Sequence, residues 1–198
     1  MAGRPRGVDD AVILRAAVEV IGRVGPAKLT LAAVADEVGL VPGTLVQRFG
    51  SKRGLLLALA ERSVQDTGTL HKRVRDGHES PLAALRAFAA ASMSELATPE
   101  KYANHLAFLC MDLTDPEFHE RALAVHEAHG RVIEMLLDEA VSGDELRPGT
   151  DTGAVAGSIQ VAVAGAGLTW ALDRRGTLAD RIAHEVGTVL APHVKEGP

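Results

Sequence analysis

TLAAVADEVGLVPGTLVQRFGSK, residues 30–52, holds two short helical patterns joined by a tight turn. Leu31, Val34, Ala35 and Val38 recur at helical spacing on one face. Gly39 ends that pattern, because glycine takes a left-handed backbone at no steric cost. Leu40 turns inward across the bend. Pro42 suits the first turn of a second helix, where its missing N–H has no partner to lose. Leu45 and Phe49 return one face of that helix to a core. The other face keeps Thr44, Gln47, Arg48 and Lys52, which are hydrogen-bond donors on a short, presented helix. Such a layout predicts a helix-turn-helix whose second helix enters the major groove of DNA.

Upstream, Val12, Ile13, Ala16, Ala17, Val20, Ile21 and Val24 form one apolar stripe, closed by Gly25-Pro26. Asp9 or Asp10 can cap this first helix. It supplies the third wall of a small head, since two short helices cannot bury a core alone. The arm GRPRG before it carries Arg4 and Arg6, which can reach phosphates or a minor groove, or remain a solvated tail.

The 198 residues are 46% apolar but only 3% aromatic, so the core must be built from Ala, Val, Leu and Ile. Alanine-rich stretches favour helix, and no run alternates as a strand would. The net charge of −5 is unevenly spread. Residues 1–54 hold eight Lys/Arg against five Asp/Glu, a net of +3, while residues 55–198 hold 13 against 21, a net of −8. A basic head on an acidic body suits a modular DNA binder. The lone Cys110 excludes an internal disulfide and fits a reducing, cytoplasmic setting. Its neighbours Leu106, Leu109, Met111 and Leu113 predict a buried, inert thiol. MAGRPRGVDD lacks the apolar segment of a secretory signal.

After the head, punctuation at Ser80-Pro81, Thr98-Pro99, Asp115-Pro116 and the loop SGDELRPGTD predicts further helices, about nine in all. No charge occurs between Asp151 and Asp173, a run long enough to cross a bilayer. Its Ala, Gly and Val content, with Ser158, Gln160 and Thr169, inserts poorly, and no aromatic belt flanks it. Gly153, Gly157 and Gly165 instead share one helical face and allow close helix packing. With Leu178, Ile182, Val186, Val189 and Leu190 in the last helix, they suggest a four-helix interface between two copies, not a membrane span.

His119, Glu120, His126, Glu127 and His129 are the best metal-ligand cluster. They lie on a helix charged throughout, where solvated histidines are far commoner than metal sites. There is no G-x-S-x-G, phosphate loop or dinucleotide fingerprint, so no catalytic residue, metal or cofactor is expected.

Ala11 to Leu59 resembles the DNA-binding domain of the tetracycline-repressor (TetR) family of transcriptional regulators, most specifically at Gly43, Thr44, Leu45, Phe49, Ser51 and Lys52. Three positions depart from the family pattern: Val41 where a serine or similar residue is usual, Val46 for tyrosine and Arg48 for histidine. The family's tyrosine binds a backbone phosphate. Valine has no hydroxyl for this, and Arg48 offers a charged contact in its place.

The resemblance implies an all-α homodimer. Residues 1–54 form the three-helix DNA-binding domain, and residues 55–198 form a larger helical domain for effector binding and dimerisation. Thr44, Gln47 and Arg48 are expected at base edges, with Pro42 and Gly43 permitting close approach and Thr30 and Lys52 at phosphates. A small, mainly aliphatic effector is expected among Met93, Leu96, Phe108, Met111, Leu136 and Trp170. The last two helices would pair two copies on a palindromic DNA operator, with half-sites about 34 Å apart or a multiple of that. The alternative is a helical small-molecule-binding protein or enzyme that keeps the fold without operator binding, a reading favoured by Val41 and Val46.

Overall fold

A computed structural model describes residues 8–195; the arginines at 4 and 6 lie outside it. Among the described residues, nine α-helices follow in order: α1 (Asp10–Val24), α2 (Leu31–Glu37), α3 (Pro42–Phe49), α4 (Lys52–Asp76), α5 (Pro81–Ser92), α6 (Pro99–Asp112), α7 (Pro116–Ser142), α8 (Thr152–Asp173) and α9 (Leu178–Leu190). A 3₁₀ turn, Ser94–Leu96, joins α5 to α6. Among the described residues there is no strand. A lone antiparallel bridge, Leu146 to Val194, ties the loop before α8 to the segment after α9.

Local chemistry sets most of the boundaries. Asp9, Thr30, Ser51, Ser80, Thr98, Asp115, Asp151 and Thr177 each accept a backbone N–H in the first turn of the helix they precede. Among the described helices, α3 alone has no side-chain cap, because Val41 stands at its N-cap.

Apolar side chains gather into two clusters. The first joins Ile13, Ala17, Val20, Leu29, Val34, Leu45, Leu55 and Leu56 from α1 to α4 and takes in Phe118 of α7. The second fills the body with Leu85 and Phe88 of α5, Tyr102 of α6, Leu136 and Leu137 of α7, Ile159 and Trp170 of α8, and Ile182 and Val186 of α9. Helix α4 serves both, through Leu55, Leu56 and Leu59 at one end and Val74 at the other.

Cys110 is exposed, contrary to the sequence expectation. The apolar residues around it do not bury it, because Leu109, Met111 and Leu113 are themselves 36%, 38% and 61% exposed. Helix α8 is the one described helix long and apolar enough to span a bilayer. Val155, Ile159, Val163, Ala166 and Trp170 pack into the body, while Gly153, Gly157, Val161, Gly165, Leu168 and Leu172 face outward.

Candidate nucleic-acid interface

The head presents α3 as expected from its period. Leu45 is fully buried and Phe49 half-buried, so Pro42, Gly43, Val46 and Gln47 point outward and Thr44 lies at the margin. The turn before it is set by Gly39, at φ 67°, with the Leu40 N–H donating to the Ala35 carbonyl at 2.9 Å. Pro42 opens α3 and has no N–H. Nothing stands within 4 Å of the space a Cβ at Gly43 would fill. The first turn of α3 therefore offers an unobstructed, positively polarised end, suited to a phosphate.

Three of the expected contact residues have intramolecular partners. Thr30 caps α2, its hydroxyl oxygen accepting from Ala33 N–H at 3.1 Å. Lys52 Nζ donates to the Ala27 carbonyl at 2.9 Å. Arg48 turns toward α1, where it donates to the Val8 carbonyl and to Asp10 Oδ1, the latter at 3.0 Å. Gln47 stays on the outer side of α3 and Thr44 at its margin, while the Arg48 guanidinium ties the start of α1 to the end of α3.

The head is bound to the body by contacts that sequence reasoning missed. Arg53 donates to both oxygens of Asp115, at 2.6 and 3.1 Å, and to Glu117 Oε2 at 2.8 Å. Its guanidinium carbon lies 4.9 Å from the centre of the Phe118 ring, which packs edge-on to Phe108. The bidentate bond from Arg53 holds the Asp115 carboxyl down at about 2. Asn104 and Lys101 of α6 reach Gly22 and Glu19 of α1, at 2.8 Å each. One signal in the sequence pointed there: Pro26 has no N–H to offer the carbonyl four residues earlier.

Of the six residues expected around an effector, the body cluster takes in four. Met93, Leu96, Leu136 and Trp170 belong to the body cluster, with Trp170 Nε1 donating to the Gly176 carbonyl at 3.1 Å. Phe108 packs against the head cluster and Met111 is 38% exposed. Burial pushes His105 and His129 below the ordinary histidine range. His129 sits edge-on to Phe88, with 5.5 Å between ring centres. His126 lies beside Gln160, which donates to its carbonyl at 2.8 Å. Two open grooves, of about 570 and 460 Å³, lie elsewhere. One is lined by Arg75, Glu79, Asp138 and Glu145, the other by Arg23, Lys28, Glu100 and Asn104. Neither contains any of the six residues.

Residues 13–59 match the family described as bacterial regulatory proteins, tetR family. Comparison with curated proteins finds no match. Several solved structures share the fold over nearly the whole chain. SmeT, the repressor of the Stenotrophomonas maltophilia multidrug efflux pump SmeDEF, is 23% identical, with 96% of this chain and 93% of that one covered and a TM-score of 0.68. A TetR transcription regulator from Haloarcula marismortui ATCC 43049 is 17% identical, covering 94% and 98%, with a TM-score of 0.75. FadR from Bacillus subtilis, solved in complex with stearoyl-CoA, is 17% identical, covering 92% and 98%, with a TM-score of 0.67.

Proposed function

We propose that this chain, whose head at residues 13–59 matches the tetR family and whose fold resembles that of a TetR transcription regulator throughout, is a cytoplasmic, ligand-responsive repressor that binds a palindromic operator as a homodimer. One observation carries the reading: the matched head presents the uncapped, unobstructed start of α3 to solvent while Leu45 anchors its other face. Thr44 and Gln47 meet base edges, and the α3 N-terminus, Thr30 and Lys52 meet phosphates. Arg48 joins them by exchanging Asp10 for the DNA.

The outward face of α8 supports the dimer. Val161 and Leu172 are 74% and 76% exposed, and with Leu168 and three glycines they form an apolar surface beside α9. Residues 1–54 act as the DNA-binding domain and 55–198 as the effector and dimer domain. The effector is a small, mainly aliphatic molecule that enters the body among α4 to α8, near Met93, Leu96, Leu136 and Trp170, with Phe108 at the side toward the head and Met111 at the surface. The scarcity of aromatics argues against capture of a large cation by stacking. It releases DNA only by binding the DNA-incompetent arrangement more tightly than the competent one. This is regulation by binding rather than catalysis.

The exposed Val41 and Val46 favour a second reading, a binding protein of the same fold without an operator. Selection of duplexes from a random pool, followed by fluorescence anisotropy at several salt concentrations, separates the two. Selective binding that weakens steeply with salt supports the repressor. Failure to enrich any sequence supports the second reading.

A further inference from the structure

Helix α6 touches the head and α8 within a single turn of itself. On the head side, Gly22 lies in the last turn of α1, and the residue four positions on is Pro26, which has no N–H. The Gly22 carbonyl therefore has no donor from its own helix. Asn104 Nδ2 supplies one from α6 at 2.8 Å. The fit is close: a Cβ at Gly25 would stand 2.8 Å from Asn104 Oδ1. Lys101 closes the same joint, its Nζ 2.8 Å from Glu19 Oε2 and its stem 3.2 Å from the space a Cβ at Gly22 would fill.

The other side of the same turn meets α8. Tyr102 is 3% exposed, and its ring lies in a notch over Gly167. A Cβ at Gly167 would come within 2.4 Å of that ring, about 1 Å inside ordinary contact. The Tyr102 hydroxyl donates to the Ala164 carbonyl at 3.3 Å. Gly167 is buried, whereas Val161 and Leu168 on the far side of α8 form the outward apolar face. The opposed contacts of Asn104 and Tyr102 leave α6 little freedom to move without carrying α1 or parting from α8.

We infer that Asn104 and Tyr102 are positioning residues that make α6 a rigid coupler: Asn104 completes the open end of α1, Tyr102 seats the same turn on Gly167 of α8, and together they set the head's orientation relative to the dimer helix. The consequence for DNA rests on the operator-binding reading above; the coupling within one chain does not.

The test reads a distance inside one protomer. Spin labels are placed at Asp36→Cys on α2 and Arg86→Cys on α5, in a Cys110→Ser background, and the labelled chain is diluted in excess unlabelled protein. Double electron–electron resonance then reports head against body whether or not the chain dimerises. Asn104→Asp keeps the size of the side chain, removes the amide donor and sets a carboxylate at the negative end of α1. The head–body distribution is expected to broaden or shift by about 1–2 Å or more, the scale of helix shifts at packed interfaces. Gly167→Ala should shift it as well, by driving a methyl into the Tyr102 ring, and Tyr102→Leu should broaden it by unseating the turn. Affinity for a selected duplex should fall at least about tenfold in each of the three variants.

Unchanged distances in Asn104→Asp and in Gly167→Ala, with lowered melting temperatures alone, would overturn the coupler and leave these residues as packing. Should Gly167→Ala fail to fold, Asn104→Asp and Tyr102→Leu decide the matter by the same distances. Shifted distances in a protein that enriches no duplex would support the coupler and overturn the operator reading.

Discussion

Replacing Asp10 by asparagine should tighten DNA binding, although Asp10 touches no expected DNA contact except through Arg48. Arg48 donates to Asp10 Oδ1 at 3.0 Å, with the two side chains 29% and 59% exposed. A pair with one partner more than half exposed is worth about 0.2–1 kcal/mol. If Arg48 reaches DNA, that energy is lost on binding. Removing the competitor should therefore raise affinity by about 1.4–5-fold, at roughly 1.4 kcal/mol per tenfold. Arg48→Ala in the parent should cost about 1–3 kcal/mol, as the loss of a base-edge or phosphate contact does. In the Asp10→Asn background it should cost more, by the energy of the released pair. The assay is fluorescence anisotropy of the four proteins on one selected duplex at two salt concentrations. The salt pair separates the local exchange from the general effect of removing a negative charge near phosphate. Thermal unfolding controls for stability, which Asp10→Asn should lower by less than about 1 kcal/mol. Weaker binding in Asp10→Asn, matching the loss in Arg48→Ala, would refute the reasoning. Arg48 would then act by holding the start of α1 and not by touching DNA.

Leu45→Ala removes a fully buried side chain from the head core; it should destabilise the fold by about 2–5 kcal/mol, measured by denaturant unfolding with the slope held as a check. Val161→Asp with Leu172→Asp, at the most exposed apolar positions of α8, should give a folded monomer by light scattering. A dimer of unchanged affinity would remove α8 from the interface. Val46→Tyr supplies the hydroxyl that the resemblance places on a phosphate and should tighten DNA binding by about 1 kcal/mol; no gain would move position 46 off the backbone. Arg53 holds Asp115 at about 2, below its ordinary 3.8. A depressed carboxyl stabilises the fold fully above pH 3.8, and that contribution is lost as pH falls through about 2. The carboxyl carbon of Asp115 should accordingly titrate near 2 by NMR, and a midpoint near 3.8 would mean that the Arg53 clamp does not form in solution.

Much of this protein was legible in residues 30–52. Periodicity placed Leu45 inward and Gln47 outward, and Gly39 and Pro42 marked the turn, because helix face and turn geometry depend on neighbours a few residues apart. The cap at Asp9 was readable for the same reason. What local pattern could not decide was where long side chains settle. Arg48 was expected at base edges, but its nearest acceptors belong to residues 8 and 10, some forty positions away. Cys110 was expected to be buried because apolar neighbours in sequence suggest a core, yet that end of α6 stands free of one. The joints between head and body, Arg53 to Asp115 and Asn104 to Gly22, link residues 62 and 82 positions apart. The sequence by itself determined the helices, their caps and the outward face of α3, all matters of short-range spacing. Only tertiary packing decided which charges found partners and how α6 binds the head to the body, because those contacts form only where helices distant in sequence are brought side by side.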